Sequence, residues 1–388
     1  MQTFIVSKEP FLTWTHWSSR TSGDRDDPAS GGTRTFELFW ARNGIYHALR
    51  LLDVPLESTV LVPSFVCTAA VQPIVAYGAQ VEFYNVTKES QLDLEDLEAR
   101  LSSRVSAVLA IHYFGFPQPI ERIRRICDQR RILLIEDCAH VLENMTADRP
   151  LGSYGDASIF SWRKFLPVYD GATLHIRRPI LPDNPMVFER ESLRFTLKVA
   201  KTLLERMAPQ SSVPGGQWIS RIAKTVLRRR KRQSSHSVND SPSVPETSGD
   251  AFEPSLLNVS ASRFSRWIRW HSNVVSIVQA RRFNFEYLLD RLSCVRGVRP
   301  LYKTLPAGIC PWVFPVLFDG VVDPHVTFRN RGIPAVTWGG VRPAEVKRGS
   351  FVDADYLYDN LVFLPVHQCL RQNDLDAIVG TASAITLK

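Results

Sequence analysis

Between about Phe36 and Arg178, short runs of Val, Ile and Leu alternate with stretches in which apolar residues recur at helical spacing. That alternation predicts an α/β architecture, a mostly parallel sheet covered by helices. The runs at 59–64, 81–86, 105–113, 132–137, 157–162 and 173–176 are predicted strands. They are largely apolar rather than strictly alternating, as strands buried on both faces require. Positions 41–52 and 120–130 are predicted helices, and a third, at 94–101, opens behind Asp93, a residue type that caps helix starts. Ligands of such sheets lie beyond the carboxyl ends of the strands.

The pattern changes after Pro179. Two amphipathic helices are predicted at 193–207 and 217–232, followed at 234–250 by a tract of Ser, Pro, Asn and Asp too polar to order itself. One long helix is then predicted over 261–292, with Trp267, Trp270, Val274, Val278 and Phe285 on or near one face. Runs at 312–318, 335–338 and 361–365 read as strands, and 325–331 and 375–382 as helices, giving a smaller α/β unit. The resulting division is a large domain at 1–180, a helical and partly disordered basic insertion at 181–252, and a long helix with a small carboxy-terminal domain at 253–388. A chain of 388 residues is long enough for two cores.

The net charge of +8 narrows the partners only a little, because much of it sits in Arg228-Arg229-Arg230-Lys231-Arg232. On a helix with Trp218, Ile222 and Val226 on one face, that run suits peripheral contact with an anionic membrane surface; the alternative is a solvated insertion. Without interleaved aromatics it does not suit nucleic acid. The six cysteines form no C-x-x-C pair, which argues against a zinc site or a disulfide framework and for a reducing compartment. No leader-like amino terminus and no run of ~20 apolar residues is present, so a cytoplasmic location is expected.

Chemistry concentrates in two stretches, Ile135-Glu136-Asp137-Cys138-Ala139-His140 and Phe160-Ser161-Trp162-Arg163-Lys164. Asp137 and Lys164 each lie at or just past a predicted strand end, where a parallel sheet brings them to one edge. A lysine amine can bind the aldehyde of pyridoxal 5'-phosphate, and a carboxylate facing the pyridine nitrogen keeps that ring electron-accepting. Taken singly, Lys164 reads as a surface lysine, Asp137 as a helix N-cap and His140 as a structural histidine; their company favours the cofactor. Glu136 is expected to face away. For the phosphate, Ala41-Arg42-Asn43-Gly44 at a predicted helix start supplies unpaired N–H groups, and Ser161 a second donor.

These residues resemble the DegT/DnrJ/EryC1/StrS aminotransferases, which transfer amino groups to keto-sugars. The resemblance is carried by Val60-Leu61-Val62-Pro63-Ser64-Phe65, Gly78-Ala79, His112-Tyr113-Phe114-Gly115, the Glu136–His140 stretch, Gly152-Ser153-Tyr154-Gly155-Asp156, Phe160-Ser161 and Leu364-Pro365-Val366-His367-Gln368. It implies the type I aminotransferase fold and a homodimer. It also implies Asp137 at the pyridine nitrogen, His140 beside it, Ser161 at the phosphate, Lys164 as the cofactor lysine, and a keto-sugar, nucleotide-linked, as amino acceptor from a glutamate or glutamine donor. Three departures stand out: Lys164 follows Ser161 two residues sooner than in the commonest pattern, Ala41-Arg42 replaces Gly-Thr, and Cys67 stands where an aromatic residue often stacks on the ring. The alternatives left open are a degenerate binding protein without catalysis and a sugar dehydratase, although family dehydratases carry histidine in place of the lysine.

Overall fold

The computed structural model describes residues 6–7, 9–11, 32–142, 150–178, 188–189 and 252–386. The predicted helices at 193–207 and 217–232, the polar tract and the Arg228–Arg232 run lie outside the described residues.

Seven strands form the main sheet: β1 (Arg34–Leu38), β2 (Thr59–Pro63), β3 (Gln80–Tyr84), β4 (Val105–Ile111), β5 (Leu133–Cys138), β6 (Ala157–Ser161) and β7 (Ala172–Ile176). Their order is β1-β7-β6-β5-β4-β2-β3. The pairs from β3 through to β6 are parallel, whereas β7 runs antiparallel to both β6 and β1. Every residue of β2, β6 and β7 is buried, which explains why apolar residues point to both faces of these strands. The covering helices are α1 (Ala41–Leu51), α2 (Thr68–Tyr77), α3 (Leu94–Arg100) and α4 (Ile120–Arg130). Asp93 caps α3 as expected, its carboxylate accepting from the N–H groups of Glu95 and Asp96. The expectation omitted α2, whose Pro73 removes one internal hydrogen bond, and β1, which pairs only at the sheet edge.

The carboxy-terminal half holds α5 (Arg263–His271), α6 (Val274–Ser293), a sheet of β8 (Val298–Pro300), β9 (Val313–Phe318) and β10 (Val362–Pro365), and α7 (Pro324–Asn330), α8 (Val352–Asn360) and α9 (Gln372–Thr386). Two expectations are corrected here. The single helix over 261–292 is two helices, because Ser272 and Asn273 take extended dihedrals and the Asn273 side chain accepts from Ser276 N–H, opening α6 afresh. The strand at 335–338 is an isolated bridge, Val336 to Phe363, since the chain leaves pairing distance on either side. Trp267, read as sharing a helix face with Phe285, is half exposed whereas Phe285 is buried. One continuous apolar core joins both halves: Phe65, Tyr113 and Phe114 from the large sheet meet Trp338, Tyr358 and Phe363.

Candidate active site

The carboxyl ends of β1, β2, β4, β5 and β6 point to one edge of the large sheet, and the segments leaving them carry every candidate residue. Asp137 lies at the end of β5, paired in register with Ile111 on one side and Ile159 on the other. Lys164 closes the short turn Trp162–Lys164 that follows β6. Their side chains share one electrostatic environment. The charge of Lys164 acts on Asp137, on His140 and on Cys67, so the four groups converge although 97 positions separate the first from the last.

Burial pushes the Asp137 carboxyl above its ordinary value, opposed by the Ala139 N–H that donates to it at 2.9 Å and by the positive charge of Lys164. The Asp137 bond is a local turn rather than a helix cap. Burial holds His140 well below the ordinary imidazole range, and the Lys164 charge adds to the effect. His140 is therefore neutral at physiological pH. Its Nδ1 accepts from Phe114 N–H at 3.3 Å, which assigns the proton to Nε2 and leaves that nitrogen as a donor. Burial likewise raises the Cys67 thiol, with Lys164 opposing and Asp137 reinforcing the shift.

Glu136 does face away from Asp137, by the alternation of a strand, into a role of its own. It is fully buried and accepts from His112 Nε2 at 3.1 Å and from the N–H groups of Gly152, Tyr154 and Gly155 at 2.9, 2.7 and 2.5 Å. Burial raises its pKa, yet His112 and these amides outweigh it and hold the carboxyl below 4.5. Cys138 brings its sulfur within 4.8 Å of the His112 and Glu136 ligand atoms, but the carboxylate oxygens are already engaged by four donors. Glu136 thus anchors the 152–155 turn behind Asp137. A group with a depressed folded pKa contributes stability above its unfolded value and loses it as pH falls through the folded one. Glu136→Gln is expected to cost about 2–3 kcal/mol at neutral pH, a difference that shrinks below pH 4.5; denaturant titrations of both proteins across pH 3–8 (an approximate working range) check it.

Of the proposed phosphate cradle, Ala41 and Arg42 begin α1. Trp40 before them makes no side-chain cap bond and the first turn carries no acid, so its amides and the dipole remain suited to an anion. Arg42 is buried, its guanidinium 4.8 Å from the Trp40 ring. Asn43 is committed elsewhere: its amide donates to Leu256 O at 2.8 Å and its N–H to Trp40 O at 3.1 Å, so it pins α1 instead of facing a ligand. Ser161, at the end of β6, is buried and lies opposite Ala172.

Several residues that complete the site were not foreseen. Trp312 stacks on His140 at 4.0 Å, and the Lys164 Nζ lies 4.0 Å from the same indole. Trp312 N–H donates to Phe114 O at 3.0 Å, an approach made possible by Gly115, where a Cβ would stand 2.7 Å from Cys310 O. Tyr358 pins the loop leading to Cys67, its hydroxyl 2.8 Å from Val66 N, which donates to it. Asp170 accepts from Ser262 N–H and from the hydroxyls of Ser262 and Ser265, fixing the start of α5. Arg281 offered a readable signal, an arginine on the otherwise apolar stripe of Ile277, Phe285 and Leu288.

Residues 41–182 match the model of the DegT/DnrJ/EryC1/StrS aminotransferase family. The chain is 33% identical over 119 residues to GDP-perosamine synthase of Vibrio cholerae, covering 30% of this chain and 32% of that protein. It spans about a third to two fifths of the length of the curated relatives it matches. The fold extends much further. The aminotransferase TlmJ from Streptoalloteichus hindustanus superposes with a TM-score of 0.61 at 20% identity, over 90% of this chain and 85% of that one. Spr1654 from Streptococcus pneumoniae, in its PLP form, gives 0.61 at 16% identity, over 91% and 87%. The α/β fold expected from the sequence is therefore the fold of these aminotransferases.

Proposed function

We propose that this chain is a pyridoxal-phosphate-dependent transaminase that moves an amino group onto a nucleotide-linked keto-sugar, as the match of residues 41–182 to the aminotransferase family implies. The observation that carries the reading is the gathering of Lys164 and neutral His140 on one indole, that of Trp312, beside the strand end that carries Asp137. This donor set fits the cofactor: an amine for the aldehyde, a carboxylate for the ring nitrogen, an Nε2–H donor, and a helix start with Arg42 for the phosphate.

When bound, pyridoxal phosphate supplies a ring that accepts the electrons of a substrate carbon–hydrogen bond. Lys164 would hold the cofactor through Nζ and would move a proton at that atom as general base. Asp137 would support a positive charge at the ring nitrogen, His140 would offer its Nε2–H to the ring, and the apolar wall of Phe114 and Trp312 would exclude water. The enzyme would work as a cytoplasmic homodimer, in keeping with the family resemblance and with six free cysteines. No helix among the described residues is long and apolar enough to cross a membrane.

Incubating the purified protein with pyridoxal phosphate should give a visible absorbance that L-glutamate bleaches. GDP-perosamine, the amino sugar of a relative's name, is expected to bleach it in the reverse direction, tested by the same scan and by mass detection of a keto product. Protein that binds the cofactor yet bleaches with no amino compound would support the binding-only reading, motivated by Cys67 and Arg42. Loss of a hydroxyl of the keto-sugar as water, giving a deoxygenated product without net amine transfer, would support the dehydratase.

A further inference from the structure

We propose that Arg281 is a positioning residue which, by gripping two segments of main chain at once, sets the Lys164 amine against the indole of Trp312. In the transaminase reading, on which this second part rests, Trp312 then supplies the aromatic surface that Cys67 does not.

Arg281 is 1% exposed, and among the described residues no carboxylate pairs with it. Burying an unpaired guanidinium is costly unless its donors are satisfied. Burial pushes its pKa down to about 10, with Cys310 and Cys369 opposing, so the charge persists. What satisfies it are acceptors at the site. Its terminal nitrogens donate to Lys164 O at 3.1 Å and to Pro311 O and Trp312 O at 3.3 and 3.1 Å, while Nε donates to Gln368 Oε1 at 2.9 Å. Gln368 in turn donates to Phe165 O at 2.8 Å, and the guanidinium lies 4.8 Å from the Phe165 ring.

One planar fork on α6 therefore fixes the backbone of Lys164 and Phe165 relative to that of Pro311 and Trp312. The side chains on those backbones are the pair in contact, Lys164 Nζ and the Trp312 ring. A lysine side chain has many rotamers to lose, so a fixed backbone on both sides limits the cost of keeping the amine on the indole. Lysine at 281 would keep the charge but not the fork.

The test uses full-length protein without added cofactor. Trace acetic anhydride labelling, resolved by peptide mass, reports how freely the Lys164 amine reacts, and near-UV circular dichroism compared with Trp312→Phe reports the indole. Arg281→Lys is expected to raise Lys164 labelling about fivefold, the weight of a lost cation–π contact, and to flatten the Trp312 signal to the Trp312→Phe level. Asn284→Ala, which removes equally buried bonds to Val366 O and His367 O on the same helix, is expected to lower the melting temperature and move neither readout. Folded Arg281→Lys with unchanged labelling and dichroism overturns the proposal. Should that variant not fold, Gln368→Leu removes the Nε acceptor together with the bond to Phe165 O, and the same two readouts decide in the same directions. Because both are read before cofactor is added, failure of the wild type to take up pyridoxal phosphate would count against the transaminase and leave this result standing.

Discussion

Lys164→Ala is expected to yield a folded, colourless protein with no measurable amino transfer. Alanine removes the amine that would hold the cofactor and, with it, the group proposed to move the substrate proton, so two functions are lost together. The fold should survive, because the contacts that place this segment are made by the main chain: Lys164 O with Arg281, and Phe165 O with Gln368. Losing the Lys164 charge also removes one of the influences that hold the Asp137 carboxyl down, so Asp137 should titrate higher in the variant. An absorbance scan with added pyridoxal phosphate and a coupled assay with L-glutamate check the loss; retained turnover would reject the role of Lys164.

Asp137→Asn is the second large effect. The amide keeps the size and can still accept from Ala139 N–H, but it cannot balance a positive ring nitrogen. The donor half-reaction is expected to slow about 10²–10³-fold, the size of a preorganised electrostatic interaction in a dry site, while the visible absorbance remains. In the wild type the rate should fall on acidification as this carboxyl protonates above its ordinary 3.8, and the variant should lack that limb. Stopped-flow absorbance across pH separates the outcomes. A variant within a factor of about two of wild type would show that Asp137 only ties its turn.

How much of this was legible beforehand depended on whether a residue's role was local. Val60-Leu61-Val62, buried on both faces, declares its strand, and Asp93 declares a helix start, because each is decided by neighbours in sequence. Asp137, His140 and Lys164 stood out as candidates since strand ends on a parallel sheet gather at one edge, and since their order resembles a known family. The partner of the Asn43 side chain, Leu256 O, was hidden because it lies 213 positions away. The break at Ser272-Asn273 was hidden by apolar residues continuing at helical spacing through it. Trp312 gave no signal, for its importance comes from being delivered to His140 and Lys164 by β9 of the second sheet.

The most direct measurement is borohydride reduction of the wild-type protein with pyridoxal phosphate, followed by peptide mass mapping. A single reduced phosphopyridoxyl adduct is expected on the peptide carrying Lys164, absent after prior bleaching with L-glutamate. An adduct spread over surface lysines, or confined to a lysine elsewhere, would contradict it.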